Sequence, residues 1–229
     1  MTRLDLRSES GFTLVELLVA TAIGMVVSTA TLAIVITSVH FSSNYADRVD
    51  ATQQGRTAMQ KVTQLLNSSC VAASVAPILP TSDANNLWFY SALGDNPTIT
   101  PSEEEVSFSG GQLVLNTFAN TGGTGPASWT FASTATSQFV LLPHAAQVGS
   151  TPIFQYYGYA SGGALNTTPY TLATTLGSTN AATTAEVQIN FQANPTTNGT
   201  ALGRPASFSD TVVLRLSPSS SSTSNLPCS

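Results

Sequence analysis

The side chains able to do chemistry are few. Two histidines, two cysteines, twelve acidic residues and seven lysines or arginines are spread over 229 positions. His40 sits at the edge of an apolar run, which leaves His144 as the only histidine for catalysis. No Gly-x-Ser-x-Gly elbow offers it a nucleophile, and the residue three before Lys61 is Ala58, so a Ser-x-x-Lys pair is missing too. Neither Cys-x-x-Cys nor His-Glu-x-x-His spacing is present to hold a transition metal. The reading is a protein that is not an enzyme and uses no cofactor. Three other groups invite chemistry of a different kind. Glu103, Glu104 and Glu105 carry the oxygen ligands that calcium takes, with a solvated acidic loop as the plainer reading. Tyr156, Tyr157 and Tyr159 can stack on a glycan or pack in a sheet, and packing is the expectation. Cys70 and Cys228 allow one intrachain disulfide, with two unpaired thiols as the alternative.

The fourth group is a carboxylate in a costly place. Glu16 directly precedes Leu17 to Val39, 23 residues without a charged side chain. As a helix that run extends about 35 Å, enough for a hydrocarbon core about 30 Å thick. A secretory signal has a shorter apolar stretch of about 7 to 15 residues and a small-x-small cleavage site. This run is longer and leads into an amphipathic continuation, so a retained membrane helix is expected. An ionisable group at mid-span costs about 2.5 to 3.5 kcal/mol on insertion scales, which makes Glu16 a functional marker in need of a cation. No lysine or arginine lies between Arg7 and Arg48. One solution is a free α-amino group, made on a neighbouring copy by cutting just before Phe12; the other is a carboxylate that snorkels at the end of a plain anchor. Ala20, Gly24 and Ser28 recur at every fourth residue, a small face that lets another helix approach closely.

Gly11-Phe12-Thr13-Leu14-Val15-Glu16-Leu17-Leu18-Val19-Ala20 resembles the cleavage and methylation motif of type IV prepilins and type II secretion pseudopilins. The resemblance implies that a prepilin peptidase on the cytoplasmic side cuts between Gly11 and Phe12, removing a leader of residues 1–11. Phe12 then becomes an N-methylated terminus, and Glu16 pairs with the N-terminal amine of an adjacent subunit during assembly. It also implies a single pass through the cytoplasmic membrane over about residues 17–39, leader inside, and later residence in an extracellular pilus or pseudopilus. The implied partners are other pilin subunits, the peptidase, the pilus assembly platform and, before assembly, the membrane. In an oxidising exterior Cys70 and Cys228 are expected to be bridged, worth about 4 to 5 kcal/mol in the chain-entropy account.

Composition bears on the same question. Charged residues make up 8% of the chain, against about a quarter in an ordinary soluble protein, which disfavours a typical cytosolic enzyme. A net charge of −5 leaves too little basic surface to neutralise phosphates, so nucleic acid is not expected as a partner.

The elements that must position these groups follow from periodicity. Phe41, Tyr45, Val49, Thr52, Met59, Val62 and Leu66 continue an apolar stripe beyond the span, so one long helix is expected over residues 12–70. The first proline is Pro77, so no proline kink is expected. Gly55 reads as a soft point, about 1 kcal/mol worse than alanine. Residues 71–229 read as a β-rich head. Its strands are expected at Leu87 to Ser91, Ser128 to Ala132, Gln138 to Leu142, Ile153 to Tyr159, Glu186 to Gln192 and Thr211 to Leu216. Val106 to Ser109 and Leu113 to Phe118 form a hairpin around Gly110-Gly111. Asn120 to Pro126, Ser161 to Pro169 and Asn194 to Pro205 read as long polar loops, and Ser217 to Ser224 as a flexible tail. The expected fold class is α+β, a long N-terminal helix packed on an antiparallel β-rich head. With Gln54-Gly55-Arg56-Thr57-Ala58, Phe154-Gln155-Tyr156-Tyr157-Gly158-Tyr159 and Val212-Val213-Leu214-Arg215-Leu216, this order is similar to the larger minor pilins of the PilW and PulJ type. Many major pilins carry a proline in the span, and its absence points the same way. The function implied is a minor pilin that assembles into or primes a surface filament, with a type II secretion pseudopilin or a pilus-borne adhesin as alternatives.

Overall fold

A computed structural model describes residues 11–70, 75–92, 101–123, 128–160, 163–195 and 205–214. The chain divides into two units, Met1–Ala46 and Asp47–Ser229, and α1 (Leu14–Asn67) contributes to both. Thr13 begins the helix: its hydroxyl accepts the Glu16 N–H at 3.3 Å and its carbonyl accepts the Leu17 N–H at 3.2 Å. In the first unit threonine hydroxyls are tied back into the helix, Thr21 donating to the Leu18 carbonyl at 2.9 Å and Thr37 to Ala33 at 2.8 Å. These polar groups therefore cost little in an apolar environment.

In the second unit α1 buries Ala51, Gly55, Ala58, Met59, Val62, Leu65 and Leu66, at the steps of three and four that mark one helix face. Met59, Val62 and Leu66 lie where the stripe puts them. Phe41, Tyr45 and Val49 do not join the core and are 58%, 67% and 54% exposed. Phe41 and Tyr45 belong to the first unit, in which α1 is the one described helix and has nothing to bury them. Gly55 is a point of close approach and not a soft point. A Cβ there would lie 2.2 Å from the Phe208 ring, which itself stacks on Phe191 with centroids 5.4 Å apart. The last turn tightens as the Ser68 N–H is shared between the Gln64 and Leu65 carbonyls, and the Cys70 N–H then bonds the Tyr90 carbonyl at 2.7 Å.

Two antiparallel sheets make the rest of the core. The first runs in the order β1 (Asn86–Ser91), β2 (Ser102–Ser109), β3 (Gln112–Phe118), β6 (Ser137–Leu142). Gly110 and Gly111, at φ 59° and 75°, form the two-residue turn between β2 and β3, as that glycine pair requires. A small pair, β4 (Asn120–Gly122) and β5 (Thr130–Phe131), follows β3. In the second sheet β9 (Thr184–Ala193) is central. β10 (Ala206–Val213) pairs with one edge, and β7 (Ala145–Ala146) and β8 (Phe154–Gly158) divide the other. Leu87, Phe89, Val106, Leu113, Ile153, Phe154, Tyr156, Val187, Ile189 and Phe191 are fully buried with the α1 face in one cluster.

Several boundaries differ from the periodicity reading. The last strand starts at Ala206, earlier than Thr211, because Phe208 must reach both Phe191 and Gly55. The stretch expected at Ser128 to Ala132 keeps only the two residues of β5, and the loop expected from Asn120 opens with β4. β7 lacks the β-branched residues that signal a strand. The short α2 (Gly177–Thr183) lacks apolar periodicity and is held by buried Leu176 and Ala181. Most of the Asn194 to Pro205 loop, and all of Ser217 to Ser224, lie outside the described residues.

Candidate functional site

The first turn of α1 gathers the N-terminal group of residues. Gly11 is exposed with nothing within 4 Å of where its Cβ would be, and Phe12 is 80% exposed, so the peptide bond between them is open to another molecule. Thr13 is the cap, and Glu16 stands three positions into the helix. That is the spacing of a capping box, in which a Thr hydroxyl and a Glu three residues on attend to the free N–H groups of the first turn. The carboxylate also faces the positive end of the helix dipole, typically worth about 0.3 to 1 kcal/mol. Apolar periodicity does not mark Thr13; its signal in the sequence is the Thr-x-x-Glu spacing just before an apolar run.

Ala20, Gly24 and Ser28 are all exposed, and a methyl group at Gly24 would meet nothing within 4 Å. Around them Leu17, Leu18, Val19, Ile23, Val26 and Val27 are 50% or more exposed. An 18-residue window of α1 has mean hydropathy 2.2 and no residue buried by the chain itself, so the helix is long and apolar enough to cross a membrane.

The other candidates separate. Cys70 is buried, 1% exposed, and no described cysteine is free; Cys228 lies outside the described residues. Glu103, Glu104 and Glu105 are in β2 and not in a loop, so their side chains alternate between the two sheet faces. Glu104 points inward and is 4% exposed; its oxygens accept from Ser102 at 2.7 Å, Thr117 at 2.7 Å and Ser91 at 3.3 Å. Three hydroxyls therefore solvate a buried carboxylate. Burial, and then Glu105 on the same face, push the Glu103 carboxyl above its ordinary range, and no metal-holding cluster of three occurs among the described residues. Tyr156 is fully buried, its hydroxyl donating to the Asp83 carbonyl at 2.8 Å, and burial pushes its pKa well up. Tyr157 donates to Gln188 at 2.8 Å, while Tyr159 is 48% exposed. His144 is exposed, and His40 is exposed on α1.

No curated protein and no solved structure matches the chain. Residues 6–32, which hold the Gly11-Phe12 junction, the Thr13 cap and Glu16, match the family described as the prokaryotic N-terminal methylation motif. The N-terminal stretch of the chain therefore carries the signature of type IV prepilins and pseudopilins.

Proposed function

We propose that the chain is a minor pilin, a structural subunit that enters or primes a type IV pilus. The observation that carries this is the first unit of α1: a capped apolar helix, bare along its length, that starts at the methylation motif and holds its one carboxylate in the first turn. The motif implies processing by prepilin peptidase and assembly with other pilins. On this reading residues 1–11 are the leader, the cut falls between Gly11 and Phe12, and Phe12 is N-methylated. Glu16 neutralises the Phe12 amine of an adjacent subunit, and Ala20, Gly24 and Ser28 face a neighbouring helix. Residues 12–70 form the long helix, which before assembly crosses the cytoplasmic membrane over about residues 17–39 with the leader on the cytoplasmic side, and residues 71–229 form the exterior head, closed by a Cys70–Cys228 bridge.

Mass spectrometry of the membrane-extracted protein, with shearing of cells to collect filaments, tests it. The expected result is a chain that begins at methylated Phe12 and is present in sheared filaments at a small ratio to the main subunit. A Met1 start in a host with the peptidase overturns the reading. A mature chain absent from filaments, whose deletion blocks protein secretion, assigns it to a type II secretion pseudopilus instead.

A further inference from the structure

The outer face of the first sheet carries side chains that assembly through α1 does not use. One line crosses all four strands: Trp88 opposite Glu105, Glu105 opposite Asn116, Asn116 opposite Gln138. Asn116 Nδ2 donates to Glu105 Oε2 at 2.8 Å, and Gln138 Nε2 donates to Asn116 Oδ1 at 3.0 Å. With neighbouring strands about 4.8 Å apart the line is about 14 Å long. In the next line Tyr90 lies opposite Glu103, and Glu103 opposite Phe118. Trp88 stacks on Phe118 with ring centroids 5.3 Å apart, while Trp129 and Phe131 close on Tyr90 at 5.7 and 4.9 Å.

Both tryptophans of the chain are thus on one face, each only partly buried. The core is on the opposite face, where Leu87, Phe89 and Val106 are fully buried, so these rings are not needed to close it. The solvent side of an antiparallel sheet is ordinarily polar.

Charge and hydrogen bonding narrow what the face fits. Glu103 and Glu105 share the face, so an anionic ligand meets repulsion there. A dry apolar protein surface would bury Glu105, Asn116 and Gln138 without water and leave their spare groups unmatched, which is costly. A neutral polyol meets both needs: its C–H faces lie on aromatic rings and its hydroxyls pair with a carboxylate and two amides.

We propose that this face binds a neutral oligosaccharide laid across the strands, with Trp88 and Phe118 as the stacking platform and Glu105, Asn116 and Gln138 as the hydrogen-bonding row. This goes beyond the assembly reading and does not depend on it, since binding needs no filament.

Because both tryptophans sit on the face, intrinsic fluorescence of the full chain reports occupancy. The chain is held in lauryldimethylamine oxide, a detergent without a sugar headgroup. It is titrated with cellohexaose, mannohexaose and the N-acetylglucosamine hexamer, with sialyllactose as the anionic control. At least one neutral hexasaccharide should give a saturable emission shift at about millimolar concentration or below. Gln138→Ala, at an exposed position, should weaken it about tenfold with an unchanged melting curve. Asn116→Ala should do the same, and sialyllactose should bind more weakly. No saturable shift with any neutral probe up to about 10 mM overturns the proposal. So does a shift that Gln138→Ala and Asn116→Ala both leave intact. A response to an arginine-rich peptide with none to the saccharides assigns the face to a protein partner and also overturns it.

Discussion

Glu16 holds two positions at once, at capping-box spacing from Thr13 and beside an apolar span, and substitution can separate them. Gln at the third helix position can still reach back to a free N–H but carries no charge. Helix start and membrane insertion should therefore survive in Glu16→Gln, whereas charge pairing with a Phe12 amine on another subunit should not. In cells, mature Glu16→Gln and Glu16→Ala should reach the membrane at the wild-type amount and fall by at least about tenfold in sheared filaments, with Glu16→Asp between. Immunoblots of the membrane and sheared fractions check this, and wild-type incorporation of Glu16→Gln would reduce Glu16 to a capping residue. Glu103 gives a pH test. Its carboxyl is raised in the folded head by burial and then by Glu105, so it binds its proton more tightly folded than unfolded. That contribution is fully present below the ordinary carboxylate pKa and is lost as pH rises through the raised value. Glu103→Gln should thus melt slightly higher than wild type at pH 7, by about a few tenths of a kcal/mol after solvent screening, with the gap closing below about pH 4. Glu16 was legible because its misfit with an apolar run is local. Glu104 was not, because only the pairing of β1, β2 and β3 brings Ser91, Ser102 and Thr117 round it.

At the scale of elements, the two glycines of α1 have opposite surroundings. Gly24 meets nothing within 4 Å, whereas a methyl at Gly55 would overlap Phe208, whose ring is pinned on Phe191. Gly55→Ala gains helix propensity of about 1 kcal/mol but must displace an aromatic ring, and overpacking of that kind costs about 1 to 3 kcal/mol. The net expectation is a lower melting temperature for Gly55→Ala, recovered in part when Phe208→Leu is added, which differential scanning calorimetry of both variants can show. A rise in melting temperature for the single variant would restore the plain soft-point reading. Helix, hairpin and most strands could be read directly because their signals are local: a 3.6-residue period, a Gly-Gly turn, runs of alternating apolar residues. The buried face of α1 could not. Gly55 looks unremarkable as a residue type, and only Phe208 of β10, arriving from about 150 positions away, makes its smallness necessary. Phe41, Tyr45 and Val49 look like core in sequence yet stay bare, because periodicity identifies a face without saying whether the same chain covers it.

For the molecule as a whole, the largest proposed constraint is a bridge between Cys70 and Cys228. Cys70 is buried where α1 hands over to β1, next to the Ser69–Ser91 bridge, and no described cysteine is free. If it is bonded to Cys228, the link closes nearly the entire Asp47–Ser229 unit into one loop. The chain-entropy account gives such a loop about 4 to 5 kcal/mol, reached by restricting the unfolded chain and reduced by any strain in the folded one. At about 2 to 4 °C per kcal/mol for a domain of this size, Cys228→Ser should lower the melting temperature by up to about 10 to 20 °C. Cys70→Ser should cost somewhat more, because it also places a hydroxyl where a buried sulfur was. The decisive measurement is the cycle. With a shared bond, the double variant should melt close to Cys70→Ser alone, since the second substitution finds the loop already open. Additive losses would show two thiols acting independently. Reducing agent supplies the matching control: it should lower the wild-type melting temperature toward that of Cys228→Ser and leave the double variant unmoved.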